Sequence, residues 1–249
     1  MNRIRYRSQR TIARPVEVCG TGFLTGAPVQ LRFVPAPPDT GCVFVRTDLR
    51  LRVHVPATAA MVTGTERRTT LGRAPAQIML VEHCLAALAG LRIDNCRIEL
   101  NAPEPPGLDG SAMGFVAALN EAGAVTQPAR REVWAAARPM SVSAGGATLT
   151  LYPPEPGQGA NLQISYVLDY GIGSPLGRQA HTQISTPDRF ARDLARCRTF
   201  SGIPRRGLRR AAPAPVGPRR PVARPAATAV PTGPRAGGVP WASVATRTV

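Results

Sequence analysis

Apolar and polar positions alternate with a period of two over Arg14–Cys19, Val29–Val34, Cys42–Val45 and Leu51–Val55, with Gly20–Gly26 and Pro35–Gly41 as punctuation. That period predicts short half-buried strands joined by turns. The period changes over Met79–Leu91, where Leu85, Leu88 and Leu91 recur at helical spacing and Gly90 reads as a C-terminal cap. Cys96–Leu100 returns to a strand, and Pro103–Gly110 can only turn. A second helix, M-G-F-V-A-A-L-N-E-A-G, then opens at Ser111 with Ser111 or Asp109 as its cap. After Arg131–Arg138, strand patterns recur at Ala147–Tyr152, Leu162–Tyr170 and Gly177–Ile184, and Pro187–Arg196 reads as a helix with Phe190, Leu194 and Cys197 on one face. The order predicts an α+β protein of two similar two-layer sheet/helix domains, the second incomplete. Its expected divisions are 1–127, 128–200 and a low-complexity tail at 201–249.

Composition changes the picture mainly at that tail. From Ser201 onward Gly, Ala, Pro and Arg supply 34 of 49 residues without apolar periodicity, so the segment is expected to be disordered. These residue types have codons rich in G and C, as an out-of-frame reading of a GC-rich gene yields. The net charge of +16 invites a nucleic-acid reading, yet residues 201–249 hold 9 Arg and no acid while residues 1–200 hold 22 Arg against 15 acids. With one aromatic, Trp241, the tail is poorly suited to stacking on bases, so no specific nucleic acid is expected. Contact with anionic membrane surfaces through the tail's charge is the alternative use. No apolar run approaches a membrane span, the N-terminus lacks a secretory h-region, and five scattered Cys suit a reducing compartment. The expectation is a soluble cytoplasmic monomer.

The candidate chemistry lies at Glu82–His83, at the start of the first apolar helix. An adjacent carboxylate and imidazole can serve metal-assisted hydrolysis, with His as ligand and Glu as base; the same pair can equally be a solvated helix face. Lone histidines at His54 and His181, within strand patterns, read as packing or surface residues.

The segments G-T-G-F-L-T-G, R-F-V-P-A-P-P-D-T-G-C-V-F-V-R-T-D-L, V-E-H-C-L-A-A-L-A-G-L-R-I-D-N, N-A-P-E-P-P-G-L-D-G-S-A-M-G-F-V-A-A-L and A-R-C-R-T-F occur in that order. Together, from about Gln9 to Phe200, they closely resemble the UDP-3-O-acyl-N-acetylglucosamine deacetylases, the zinc amidases that commit bacteria to lipid A synthesis. The resemblance implies two similar α+β domains with the active site between them. It also implies a Zn²⁺ held by two His and one Asp with a position left for water, a Glu base, an acid His, and a Thr and a Lys at the oxyanion. Matched position by position, His83 is the first zinc ligand, Glu82 the general base, Thr199 the oxyanion-stabilising Thr and Phe200 an aromatic of the substrate pocket. Asp94, Asn95, Asp109 and Ser111 fall in matched motifs and read as structural turns and caps.

Three departures set the expectation for activity. No H-K-x-x-D-x-x-G-D motif follows Phe200, no Lys occurs anywhere, and Leu24 stands where the family commonly has a His. The resemblance therefore implies a deacetylase of UDP-sugar acyl substrates that is truncated or frameshifted after about residue 200 and inactive as written, since one ligand holds zinc far more weakly than three. The competing reading is a catalytically dead relative that binds nucleotide sugars or proteins and carries a basic tail.

Overall fold

A computed structural model describes residues 1–155, 161–171 and 177–199. The strands are β1 (Asn2–Ile12), β2 (Val16–Thr21), β3 (Pro28–Pro35), β4 (Cys42–Arg46), β5 (Val53–Pro56), β6 (Val62–Gly64), β7 (Thr70–Leu71) and β8 (Ile78–Met79). Helix α1 (Glu82–Gly90), β9 (Cys96–Leu100), α2 (Met113–Ala122) and β10 (Ala124–Ala135) follow. Two hairpins come next: β11 (Met140–Ala144) with β12 (Ala147–Leu151), and β13 (Leu162–Leu168) with β14 (Gln179–Ser185). A helical turn α3 (Pro187–Arg189) continues as a π-helical turn, Phe190–Leu194. The chain is mixed α+β, rich in sheet with few helices, as its periodicity predicts.

The main sheet runs β2-β3-β9-β4-β5, antiparallel except for β4 beside β9. Period two decides its faces. In β9, Cys96, Ile98 and Leu100 are fully buried while Arg97 and Glu99 point outward and pair at 2.9 Å. Leu31 and Phe33 of β3 lie on the same inner face, and Phe33 meets Phe115 of α2 edge-on at 6.2 Å between ring centroids. Leu88 of α1 and Val116 and Leu119 of α2 close the core over the sheet. Each such side chain contributes about 1.5–3 kcal/mol on burial.

Three boundaries differ from the periodic reading. The first helix begins at Glu82 because Ile78 and Met79 pair with Leu71 and Thr70, and Leu80 turns the chain at φ 55°. Gly90 is the last helical residue and not a left-handed cap; the positive φ falls on Arg92, at 57°. Gly90 is needed for space instead, since a Cβ there would enter the Phe190 ring. That contact carries Phe190 and Ala195 into the same buried cluster as α1 and α2.

The long ribbon β1–β10 has no alternating apolar pattern and was not expected as strand. Gln127, the expected end of the first domain, lies inside β10. The ribbon's register slips between Ser8 and Arg10, opposite Pro128, which has no N–H to donate. Polar side chains fasten it to the sheet: buried Asn95 donates to Gln9 and Gln127 at 2.7 Å each and accepts from the Gly41 amide at 2.8 Å. Asp94, with 4% of its side chain exposed, accepts both Arg7 nitrogens at 2.6 and 2.7 Å, Arg131 at 3.0 Å and the Arg10 amide at 2.9 Å. The expected structural role of Asp94 and Asn95 is thus visible in their partners. Over β11–β14 the sheet surface is open: Val142 is 63% exposed and Val167 54%.

Candidate active site

Glu82 and His83 form the first turn of α1, where the exposed backbone N–H groups favour a carboxylate. Glu82 Oε2 accepts the Thr69 amide at 3.1 Å, which fixes the carboxylate toward the loop between β6 and β7. His83 is half-buried, and burial pulls its imidazole below the ordinary value of 6.5 against the opposing pull of the Glu82 and Asp109 charges. It is therefore neutral at pH 7, the form in which imidazole ligates metals.

Asp109 belongs to the turn before α2. Its Oδ1 accepts the Ser111 amide at 3.0 Å and the Ser111 hydroxyl at 2.7 Å, and Ser111 Oγ accepts the Met113 amide at 3.2 Å. This chain of bonds leads into α2 at Met113, where the M-G-F-V-A-A-L-N-E-A-G pattern begins, and Ala112, not Ser111 or Asp109, stands at the cap position. Gly110, at φ 82°, turns its carbonyl to accept the Thr199 amide at 2.9 Å. Ala112 donates to the Ala195 carbonyl at 2.9 Å. The 109–112 turn thus has the Thr199 segment bonded to its backbone, while the Asp109 charge reaches His83. Phe200 lies outside the described residues.

The other histidines stand apart from this turn. His54 is exposed on β5, and His181 on β14 bonds Gln183 at 3.1 Å. Among the described residues no group of three His, Cys, Asp or Glu could hold a metal ion. The donor set present does not fit a three-ligand zinc site: His83 is in place, Glu82 is engaged by Thr69, and Asp109 by Ser111.

Glu104 was not anticipated. It is fully buried, and its carboxylate accepts Leu24 N at 3.0 Å, Thr25 N at 2.7 Å and Thr25 Oγ1 at 2.7 Å. A Cβ at Gly22 would lie 2.5 Å from Glu104 Oε1, so only glycine leaves room for the carboxylate. Gly22 also bridges to Pro106, and the Gly107 amide donates to Thr21 O at 2.8 Å. Glu104 therefore locks the Gly20–Gly26 loop onto the turn that leads to Asp109. A lone acid in a Pro-rich turn gave one faint signal of this: such a residue is buried only when several donors meet it.

Residues 9–206 match the family described as UDP-3-O-acyl N-acetylglycosamine deacetylase. A UDP-3-O-acyl-N-acetylglucosamine deacetylase of Myxococcus xanthus is 40% identical over 193 residues, covering 78% of this chain and 60% of that protein. Its counterpart in Anaeromyxobacter sp. is 39% identical over 198 residues, covering 78% and 62%; that of Saccharophagus degradans is 36% identical over 193 residues, covering 77% and 62%. The chain spans about 60% of the length of these curated relatives. With ordered motifs, neutral His83 beside Glu82, and a family match over most of its length, the chain belongs to the UDP-3-O-acyl N-acetylglycosamine deacetylase family.

Proposed function

We propose that this chain carries one part of a deacetylase site for UDP-3-O-acyl-N-acetylglucosamine, and that the site is completed by sequence corresponding to the rest of its relatives. The observation that supports the reading is the turn before α2, whose Gly110 carbonyl accepts the Thr199 amide and whose Asp109 charge acts on His83. In this reading Glu82 is the proton acceptor for the attacking water, held by the Thr69 amide. Thr199, fixed through its amide to Gly110, offers its hydroxyl to the developing oxyanion, and Phe200 adds an apolar wall for substrate. His83 is one zinc ligand, and zinc, when bound, polarises the acetamide and acidifies water. One ligand does not make that centre, so the isolated chain is inactive.

The domain reading belongs to the same proposal. Residues 1–127 form the first α+β domain, 128–200 open a second, similar one, and 201–249 form the basic tail. The exposed apolar side chains of β11–β14 support it, because a sheet face of that kind is normally covered by another layer. A cytoplasmic location follows from the proposed substrate chemistry; no helix among the described residues is long and apolar enough to cross a membrane.

A chimera tests the proposal: residues 1–199 joined to the unmatched remainder of the Myxococcus xanthus relative, assayed for acetate release from the UDP-sugar. Release that is lost in Glu82→Gln and His83→Ala supports the reading. A folded chimera that binds zinc through the grafted segment and releases no acetate rejects it.

A further inference from the structure

The loop between β6 and β7 that fixes Glu82 also carries a cation without a counterpart. Arg68 directly precedes Thr69, whose amide donates to Glu82 Oε2 at 3.1 Å. Its side chain is half-buried, and its Nε–H is sealed from solvent with no acceptor. Among the described residues no hydrogen bond or ion pair engages the rest of the guanidinium. The acids nearest in the chain do not answer it: Glu66 is exposed, and Glu82 is engaged by the Thr69 amide.

An unpaired buried donor opposes folding, and more strongly when the group is charged. The preceding residue, Arg67, is held at φ 55°, in the left-handed region that side chains other than glycine rarely adopt. Unsatisfied polar atoms and strained backbone gather where a ligand is taken. The ligand that a guanidinium edge matches is an oxyanion, because Nε–H and one Nη–H lie parallel and grip two oxygens of a carboxylate or phosphate. A neutral hydroxyl would accept one hydrogen bond and leave the charge unanswered. Deacetylation offers two oxyanions: hydrolysis of an acetamide releases a carboxylate, and a UDP-sugar carries a diphosphate.

We propose that Arg68 is an oxyanion-binding residue at the margin of the candidate site, taking a carboxylate of the product or a phosphate of the substrate through its Nε edge. The identity of that ligand rests on the deacetylase reading, whereas the oxyanion site itself rests on the unpaired guanidinium.

The test follows the Arg68 Nε–H resonance of the full chain by NMR, assigned by its absence from Arg68→Lys. Sodium acetate, UDP or uridine is added at an ionic strength held constant with chloride. A saturable shift with acetate assigns the product carboxylate, and one with UDP but not uridine assigns the substrate phosphate; either supports the proposal. A resonance that answers neither, or that moves equally with chloride alone, overturns it. Arg68→Gln, followed at the Thr69 amide, should bind the same oxyanion roughly 10- to 100-fold more weakly, as expected for the loss of charge-assisted hydrogen bonding; unchanged affinity overturns the proposal. Arg68→Met keeps an unbranched stem and removes the unpaired donors, so its urea midpoint should equal or exceed the parent's. A clearly lower midpoint means that the guanidinium holds the loop, and overturns the proposal. A chimera that releases no acetate would reject the deacetylase reading and leave these shifts to decide the oxyanion site.

Discussion

Replacing Glu104 by Gln tests how the loop Gly20–Gly26 is held against the turn that leads to Asp109. The carboxylate accepts two backbone amides and a hydroxyl at 2.7–3.0 Å in a site closed to solvent. Glutamine keeps one oxygen and turns an amide NH₂ toward a donor. One charge-assisted hydrogen bond is lost, at about 1.5–3 kcal/mol, and a buried donor is left facing another, at about 1–3 kcal/mol. Partial relaxation of the loop offsets some of this, so the expected loss is about 2–4 kcal/mol. Urea unfolding should show the midpoint falling with an unchanged slope. Native-state hydrogen exchange localises the effect: Leu24 and Thr25 amides should exchange roughly 30- to 900-fold faster if their opening is governed by this anchor. A variant within about 0.5 kcal/mol of the parent, with Leu24 and Thr25 still protected, would show that the carboxylate is not the anchor.

Further outcomes follow from single contacts. Gly90→Ala drives a methyl into the Phe190 ring and should cost about 1–3 kcal/mol; wild-type stability would mean the Phe190 segment leaves α1 readily. His83 has a folded pKa below its ordinary 6.5, so the unfolded chain binds more protons in that window. Its contribution to stability is complete above pH 6.5 and is lost as pH falls through the folded value, a slope that His83→Gln should remove. An NMR titration midpoint for His83 at or above 6.5 contradicts this sign. Burial pushes the Cys42 thiol up to about 12 and raises Cys84 and Cys96 as well, whereas Cys19 and Cys197 are exposed. Iodoacetamide at pH 8 should label residues 19 and 197 in the native protein and the other three only on unfolding; native labelling of Cys84 would count against the closed core.

The core strands and both main helices were legible because their side chains obey a single period: β9 alternates Cys96, Ile98 and Leu100 inward with Arg97 and Glu99 outward. The β1–β10 ribbon was not, since its stability comes from polar contacts to Asp94, Asn95 and Gln127 that no local window contains. Gly90 shows a similar limit. A glycine near a helix end suggests a cap, yet its reason is Phe190, a hundred residues away in sequence. At the candidate site, Glu82 and His83 were visible as neighbours in the chain. The approach of the Thr199 segment to the turn at Gly110 depends on tertiary packing.

Zinc stoichiometry tests most directly whether this chain holds one part of a metal site. The purified chain is dialysed against metal-free buffer and analysed for zinc per polypeptide, with His83→Ala alongside. Near-zero zinc in both, in a protein with native circular dichroism, is the predicted result. Close to one zinc per chain, lost in His83→Ala, would mean that this polypeptide completes the centre by itself and would contradict the account.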